Sequence, residues 1–179
     1  MGKRLFRWEV AGALWTAAAG TLLHFVYEWS GGSVWTAVFS GVNESVWEHM
    51  KLLVMPLFLF TVVQVAVLGD GYPGLPGSRV VSLLAGVILI PVLYYTYTGV
   101  LGFRISWVDI SIFYVAVMVW FLLDRKLLRS GGLESAWLQV SGIVVLWLVV
   151  FAFVWCTFYP PKLPLWQDPV TGAFGIPQG

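Results

Sequence analysis

The stretch Ser45–Leu68, SVWEHMKLLVMPLFLFTVVQVAVL, decides the class of this chain. Beyond Lys51 it reaches Leu68 without a charged residue, close to the roughly 20 apolar residues that cross a bilayer core. The whole chain agrees with that reading, since 59% hydrophobic and 11% charged content lies outside the range of soluble globular proteins. At 179 residues it is the length of one domain. A formal net charge of +1 offers no basic excess for nucleic acid. The single cysteine, Cys156, excludes an intramolecular disulfide and a thiolate metal cluster.

Outward from this span the pattern recurs. A first span is predicted over about 8–29, with Trp8 and Trp29 at its ends as membrane interfaces favour. Its basic start, MGKRLFRWEV, leads into an apolar run of full spanning length rather than a cleaved signal peptide. Residues 30–42 are rich in Gly and Ser but carry Trp35 and Phe39, which predicts an interfacial or re-entrant segment. GDGYPGLPGS, residues 69–78, is turn chemistry. Further spans are predicted over about 79–102, with a kink at Pro91, about 107–123, closed by the charged run DRKLLRSGG, and about 136–158. The Pro- and Gly-rich residues 160–179 form an extended tail. The expected architecture is an all-α integral membrane protein: a five-helix transmembrane bundle over 1–159, with the tail, 160–179, packed on its outer side.

Basic residues set the orientation. With the N-terminus inside, Lys3, Arg4, Arg7, Arg79, Arg125, Lys126 and Arg129 collect on the inner side, against Lys51, Arg104 and Lys162 outside. This favours N-in, C-out. Helix parity then brings His24, Glu28, Glu44, Glu48, His49, Arg104, Asp109 and Asp168 to the outer face, although they are scattered in sequence. Apart from Gln64, read as a helix-to-helix hydrogen bond, and a few Ser and Thr, the inner halves look dry.

His24 and Glu28 are four apart and share one helix face, and ionisable groups at that depth usually face a bundle interior with a partner. Glu44 and Glu48 are also four apart, with His49 beside them. Together these five residues are candidate ligands for a divalent metal, and without thiolates the set suits zinc, manganese or iron. A metal with an open position activates water, and Glu48 and Glu44 are the candidate catalytic carboxylates. A structural reading competes. Ser45 to Glu48 is S-x-x-E ahead of an apolar run, a capping box that starts a helix, and Glu48 with Lys51 forms an i,i+3 ion pair. That reading covers most of NESVWEHMK but leaves His24 and Glu28 unexplained. Tyr94, Tyr97, Arg104 and Asp109 are candidate substrate-binding residues; Arg104 and Asp109 pair with each other, or Arg104 holds an anion. Asp168 reads as a turn former, and the apolar tail as a lid on the outer mouth.

HFVYEWSG, NESVWEHMKLL and PPKLPLWQDPVTGAFGI together resemble a family of small bacterial multi-pass membrane proteins of unknown function. The resemblance covers nearly the whole chain and implies a multi-pass protein of the bacterial inner membrane, with no activity attached. The residues themselves lead to an outward-facing His/Glu site that binds a divalent metal and hydrolyses a lipid or peptide substrate. A small-solute or ion transporter with a proton-linked pocket is the alternative, and a structural or assembly subunit a third. The expected partners are the bilayer and a lipid or small-molecule ligand at the outer face, with no nucleic acid. Oligomeric state is not legible in the sequence.

Overall fold

The computed structural model describes residues 2–177. These form α1 (Lys3–Trp29), a single turn α2 (Val34–Ala37), α3 (Val46–Leu68), α4 (Leu75–Leu101), α5 (Ser106–Ser130) and α6 (Ala136–Phe158), with 3-10 turns at Gly69–Gly71 and Pro164–Trp166. No strand occurs among the described residues, where pairing is limited to one bridge between Gln167 and Phe174. The five long helices are each long and apolar enough to cross a membrane. Their outward faces carry Leu14, Leu22, Ile88, Val100, Trp147 and Phe151, as a surface solvated by lipid requires.

The helix read first from sequence is also the hub. In α3, 56% of the apolar window is buried, against 17% in α1, and α3 touches every other long helix. Leu53, Val54, Met55 and Leu57 are enclosed there against Leu83, Val87, Ala116 and Trp120. Pro56 interrupts the backbone ladder of α3, and its carbonyl accepts a hydrogen bond from the Trp15 indole of α1 at 2.9 Å. α4 runs continuously through Pro91.

Three boundaries differ from the sequence reading, the first being α1, which begins at Lys3 rather than near Trp8. The turn at 69–78 is shorter than its composition suggests, because Pro76 occupies the first turn of α4, where a missing N–H costs nothing. α5 continues seven residues past the expected end at Leu123, through DRKLLRS, and stops at Gly131, whose φ of +67° is a left-handed cap. Charge there marks the exit from the apolar zone rather than the end of the helix.

These longer helices also overturn the expectation of a dry inner half. Arg79 of α4 and Asp124 of α5, both read as end residues, lie inside the bundle and pair at 3.1 Å. Arg79 also donates to Gln64 of α3 at 2.6 Å, Ser82 donates to Asp124 at 3.0 Å, and the guanidinium lies over the Trp120 ring. Glu9 of α1 is buried, and neither of its oxygens has a hydrogen-bond partner among the described residues.

At the opposite end the chain between α1 and α3 turns back into the bundle. Gly41 N–H donates to the carbonyl of Leu23, six residues or about 9 Å below Trp29 along α1. A buried ion pair holds this segment. Lys51 Nζ lies 2.5 Å from Glu48 Oε2 and also donates to the Ala37 carbonyl at 2.9 Å and to Thr157 Oγ1 of α6 at 2.8 Å. Glu48 in turn accepts from Val42 N–H at 3.2 Å and from Thr157 at 2.8 Å. All three donors of the ammonium group are used. The tail, through residue 177, packs on the same end: Asn43 Nδ2 donates to the Gly175 carbonyl at 2.8 Å, and Trp166 lies against Trp47, ring centroids 4.8 Å apart.

Two substitutions test this frame. Lys51→Met strands the buried Glu48 carboxylate and should lower unfolding stability in detergent by about 3–5 kcal/mol, with Glu48→Leu/Lys51→Met recovering part of the loss. Gly20→Ala should cost about 1–3 kcal/mol. A Cβ there would stand 2.5 Å from the Phe113 ring and 2.6 Å from the Leu52 carbonyl, so α1 packs this closely only with glycine. Thermal melts of both variants beside wild type give the answer.

Candidate metal centre

Glu44 sits at the centre of the polar cluster, held there by its neighbours in sequence. On one side Val42 is tied to Glu48. On the other, Ser45 N–H donates to Asn43 Oδ1 at 2.8 Å, and Ser45 Oγ caps α3 by accepting from Glu48 N–H at 3.3 Å. Only half of the capping box forms, because the Glu48 carboxylate is committed to Lys51, Val42 and Thr157. The loop is thus fixed at both ends, and the Glu44 side chain projects between α1, α3 and the start of α5.

Three donors converge. His24 Nε2 of α1 lies 3.4 Å from Glu44 Oε1, and His49 Nε2 of α3 lies 4.0 Å from Glu44 Oε2. One ligand atom from each residue falls within 4.8 Å of the others. Neither imidazole is close enough to the carboxylate for an ordinary hydrogen bond of about 2.7–3.2 Å. His49 Nδ1 lies 2.9 Å from the Ser45 carbonyl, which can only accept. A proton therefore sits on Nδ1, and Nε2 is the ring atom that faces Glu44. This is the arrangement by which backbone carbonyls orient histidine ligands.

Arg104, at the turn between α4 and α5, braces the other side of Glu44. Its Nη2 lies 3.3 Å from Glu44 Oε2, its Nε lies 3.5 Å from Asp109 Oδ2, and its buried Nη1 has no hydrogen-bond partner among the described residues. Tyr97 OH donates to Asp109 Oδ1 and accepts from Ile105 N–H at 3.1 Å. Tyr94 lines a narrow recess with Glu44, His49 and Arg104.

The structure brings His24, Glu44, His49, Arg104 and Asp109 to the wall of one cleft of about 330 Å³. Glu48 lies one turn away in its own buried pair with Lys51, and Glu28 is exposed near the end of α1, outside the converging three. Asp168 accepts from Val170 N–H at 2.7 Å and Thr171 N–H at 3.3 Å, the turn role read from sequence. The tail packs beside Trp47, and none of its described residues lines the cleft.

Sequence reasoning missed the cleft's apolar walls. Gly20 and Phe25 of α1 face Ile110, Phe113 and Tyr114 of α5 across it. Thr21 Oγ1 and Tyr114 OH join the two helices at 2.9 Å. A glycine followed by threonine within an apolar helix was the one available signal for such a close approach.

No curated protein and no solved structure matches the chain. A model described as a family of unknown function, DUF6512, matches residues 3–176, nearly the whole of this five-helix chain, and the protein belongs to that family.

Proposed function

We propose that His24, Glu44 and His49 bind a divalent metal ion, zinc before manganese or iron, and that the centre hydrolyses an ester or amide in a lipid or peptide substrate. The observation that carries this reading is the convergence of one ligand atom each from His24, Glu44 and His49 within 4.8 Å of one another. With Nδ1 of His49 turned to the Ser45 carbonyl, Nε2 is the ring atom left to meet a cation beside the Glu44 carboxylate. At zinc–ligand distances near 2.0–2.1 Å, tetrahedral neighbours stand about 3.4 Å apart, which His24 and Glu44 already meet and to which His49, 4.0 Å from Glu44, must close.

Two nitrogens and one carboxylate oxygen leave a fourth position open, as in hydrolytic zinc sites, where the metal brings bound water to a pKa of about 7. The chain's own groups divide the remaining tasks. Arg104 orients Glu44 and offers its unpartnered Nη1 to an anionic oxygen of the substrate. Asp109, held by Arg104 and Tyr97, is a carboxylate at the cleft wall suited to accept the proton of the attacking water. Glu48 acts on this site through the backbone, by fixing the loop that carries Glu44. The excess of basic residues at the opposite end supports a reading with the cleft on the outer face of a cell membrane.

Elemental analysis of detergent-purified protein after dialysis against metal-free buffer tests the reading. Wild type should retain close to one equivalent of zinc, manganese or iron per chain. His24→Ala, His49→Ala and Glu44→Gln should each lose it while keeping the wild-type melt, and Glu28→Gln should keep it. A folded wild-type protein that takes up no metal when zinc is supplied sinks the proposal.

A further inference from the structure

The cleft also indicates what kind of molecule reaches the metal. Phe25, Ile110 and Tyr114 line it and are at the same time 41%, 48% and 40% exposed, so it opens sideways between α1 and α5 rather than along the bundle axis. It descends along α1 to Gly20, nine residues or about 14 Å below Trp29, most of the roughly 15 Å of hydrocarbon in one leaflet. Polarity is segregated along that depth. His24, Glu44, Arg104 and Asp109 gather toward the interfacial end, and Gly20, Phe113 and Tyr114 form the deep end. A water-soluble substrate has no use for an apolar slot open to lipid. About 330 Å³ sits at the low end of ligand pockets, enough for one headgroup or part of one chain but not for a whole two-chain lipid.

The charge balance selects the headgroup. The Glu44 and Asp109 carboxylates against the Arg104 guanidinium sum to one negative charge, and imidazoles that ligate a metal are neutral. A divalent ion reverses this to one positive charge. We infer that the substrate is a bilayer phospholipid with a net negative phosphodiester headgroup, which enters laterally between α1 and α5, sets its phosphate by Arg104 and the metal, and leaves one acyl chain along Phe25, Ile110 and Tyr114. This inference rests on the metal reading above and makes the metal the determinant of headgroup preference as well as of chemistry.

Photolabelling in nanodiscs tests it, with phosphatidylglycerol and phosphatidylcholine as probes, each carrying a diazirine midway along one acyl chain, and zinc measured on every sample. In zinc-loaded protein the anionic probe should label Phe25, Ile110 and Tyr114 on the order of tenfold more than the zwitterionic one, as expected for reversal of a unit charge at a half-buried site. Chelation or Arg104→Gln should abolish that preference. Ile110→Trp, which fills the slot and touches no ligand, should lose the label while holding its zinc. Labelling spread evenly over the outer faces of all five helices, or a preference that survives chelation or Ile110→Trp in zinc-binding protein, overturns the lateral lipid site and leaves the metal reading standing. Protein that binds no zinc at all overturns both.

Discussion

The buried pair Glu48–Lys51 is the constraint on which the cleft end of this molecule depends. An ammonium and a carboxylate shut away from water repay their desolvation only when each remaining donor and acceptor is met. Here the partners come from three places: the α3 turn that carries both charges, the α6 hydroxyl of Thr157, and the backbone of the re-entrant segment at Ala37 and Val42. The pair therefore docks a loop whose large apolar residues, Trp35 and Phe39, face away from the bundle. Once Val42 is held, two residues separate it from the Ser45 cap, and the Glu44 side chain has little freedom left. Electrostatics at one depth in the bundle fixes geometry at the next.

A comparable arrangement holds the other end. Arg79, Asp124, Gln64 and Ser82 join α3, α4 and α5 around a guanidinium that also covers Trp120. The middle of the bundle, by contrast, is packed through Leu53, Leu57, Leu83 and Ala116, with small residues setting the distances. A Cβ at Gly86 would stand 3.1 Å from Leu53 and 3.3 Å from the Ala116 carbonyl, and one at Gly142 would stand 3.1 Å from the backbone of Pro76, at the start of α4. In lipid there is no hydrophobic force between helices, so close packing of this kind and polar ties at the ends carry the association.

Span number and the boundaries of α3 and α6 were legible because a membrane span is a property of consecutive residues. So was the pairing of Arg104 with Asp109, separated by one tight turn. The role of Glu48 was legible only as two competing readings, since its four-residue spacing from Glu44 fits a metal ligand and its three-residue spacing to Lys51 fits an ion pair, and in the structure its carboxylate is buried against Lys51. Glu28 shows the converse: it shares a helix face with His24, but α1 carries it past the rim of the bundle. The polar cluster at the end away from the cleft was illegible because Arg79 and Asp124 each look like residues that end a span. Their depth depends on where Pro76 lets α4 begin and on α5 continuing to Ser130, which are facts of tertiary structure. The cleft was hidden for the same reason, since no periodicity states which face of α5 meets α1.

The location of the cleft follows from the packing around Gly20. At that level α1 approaches α3 and α5 closely enough that a single methyl group would collide with Phe113 and Leu52. Above it, toward the interface, α1 carries His24 and Phe25, larger side chains that hold it away from α5, and the space between becomes the cleft. The same contact that closes the bundle below thus sets the floor of the opening above. A smaller ring in place of Phe113 would deepen the cleft and loosen the bundle together, and a larger residue at Gly20 would have to displace one wall. Site volume and bundle stability are therefore coupled through one helix crossing. Of the polar groups that give the site its character only His24 rides on α1; Glu44, His49, Arg104 and Asp109 are held through Glu48, Ser45 and Tyr97 and are positioned independently of that crossing.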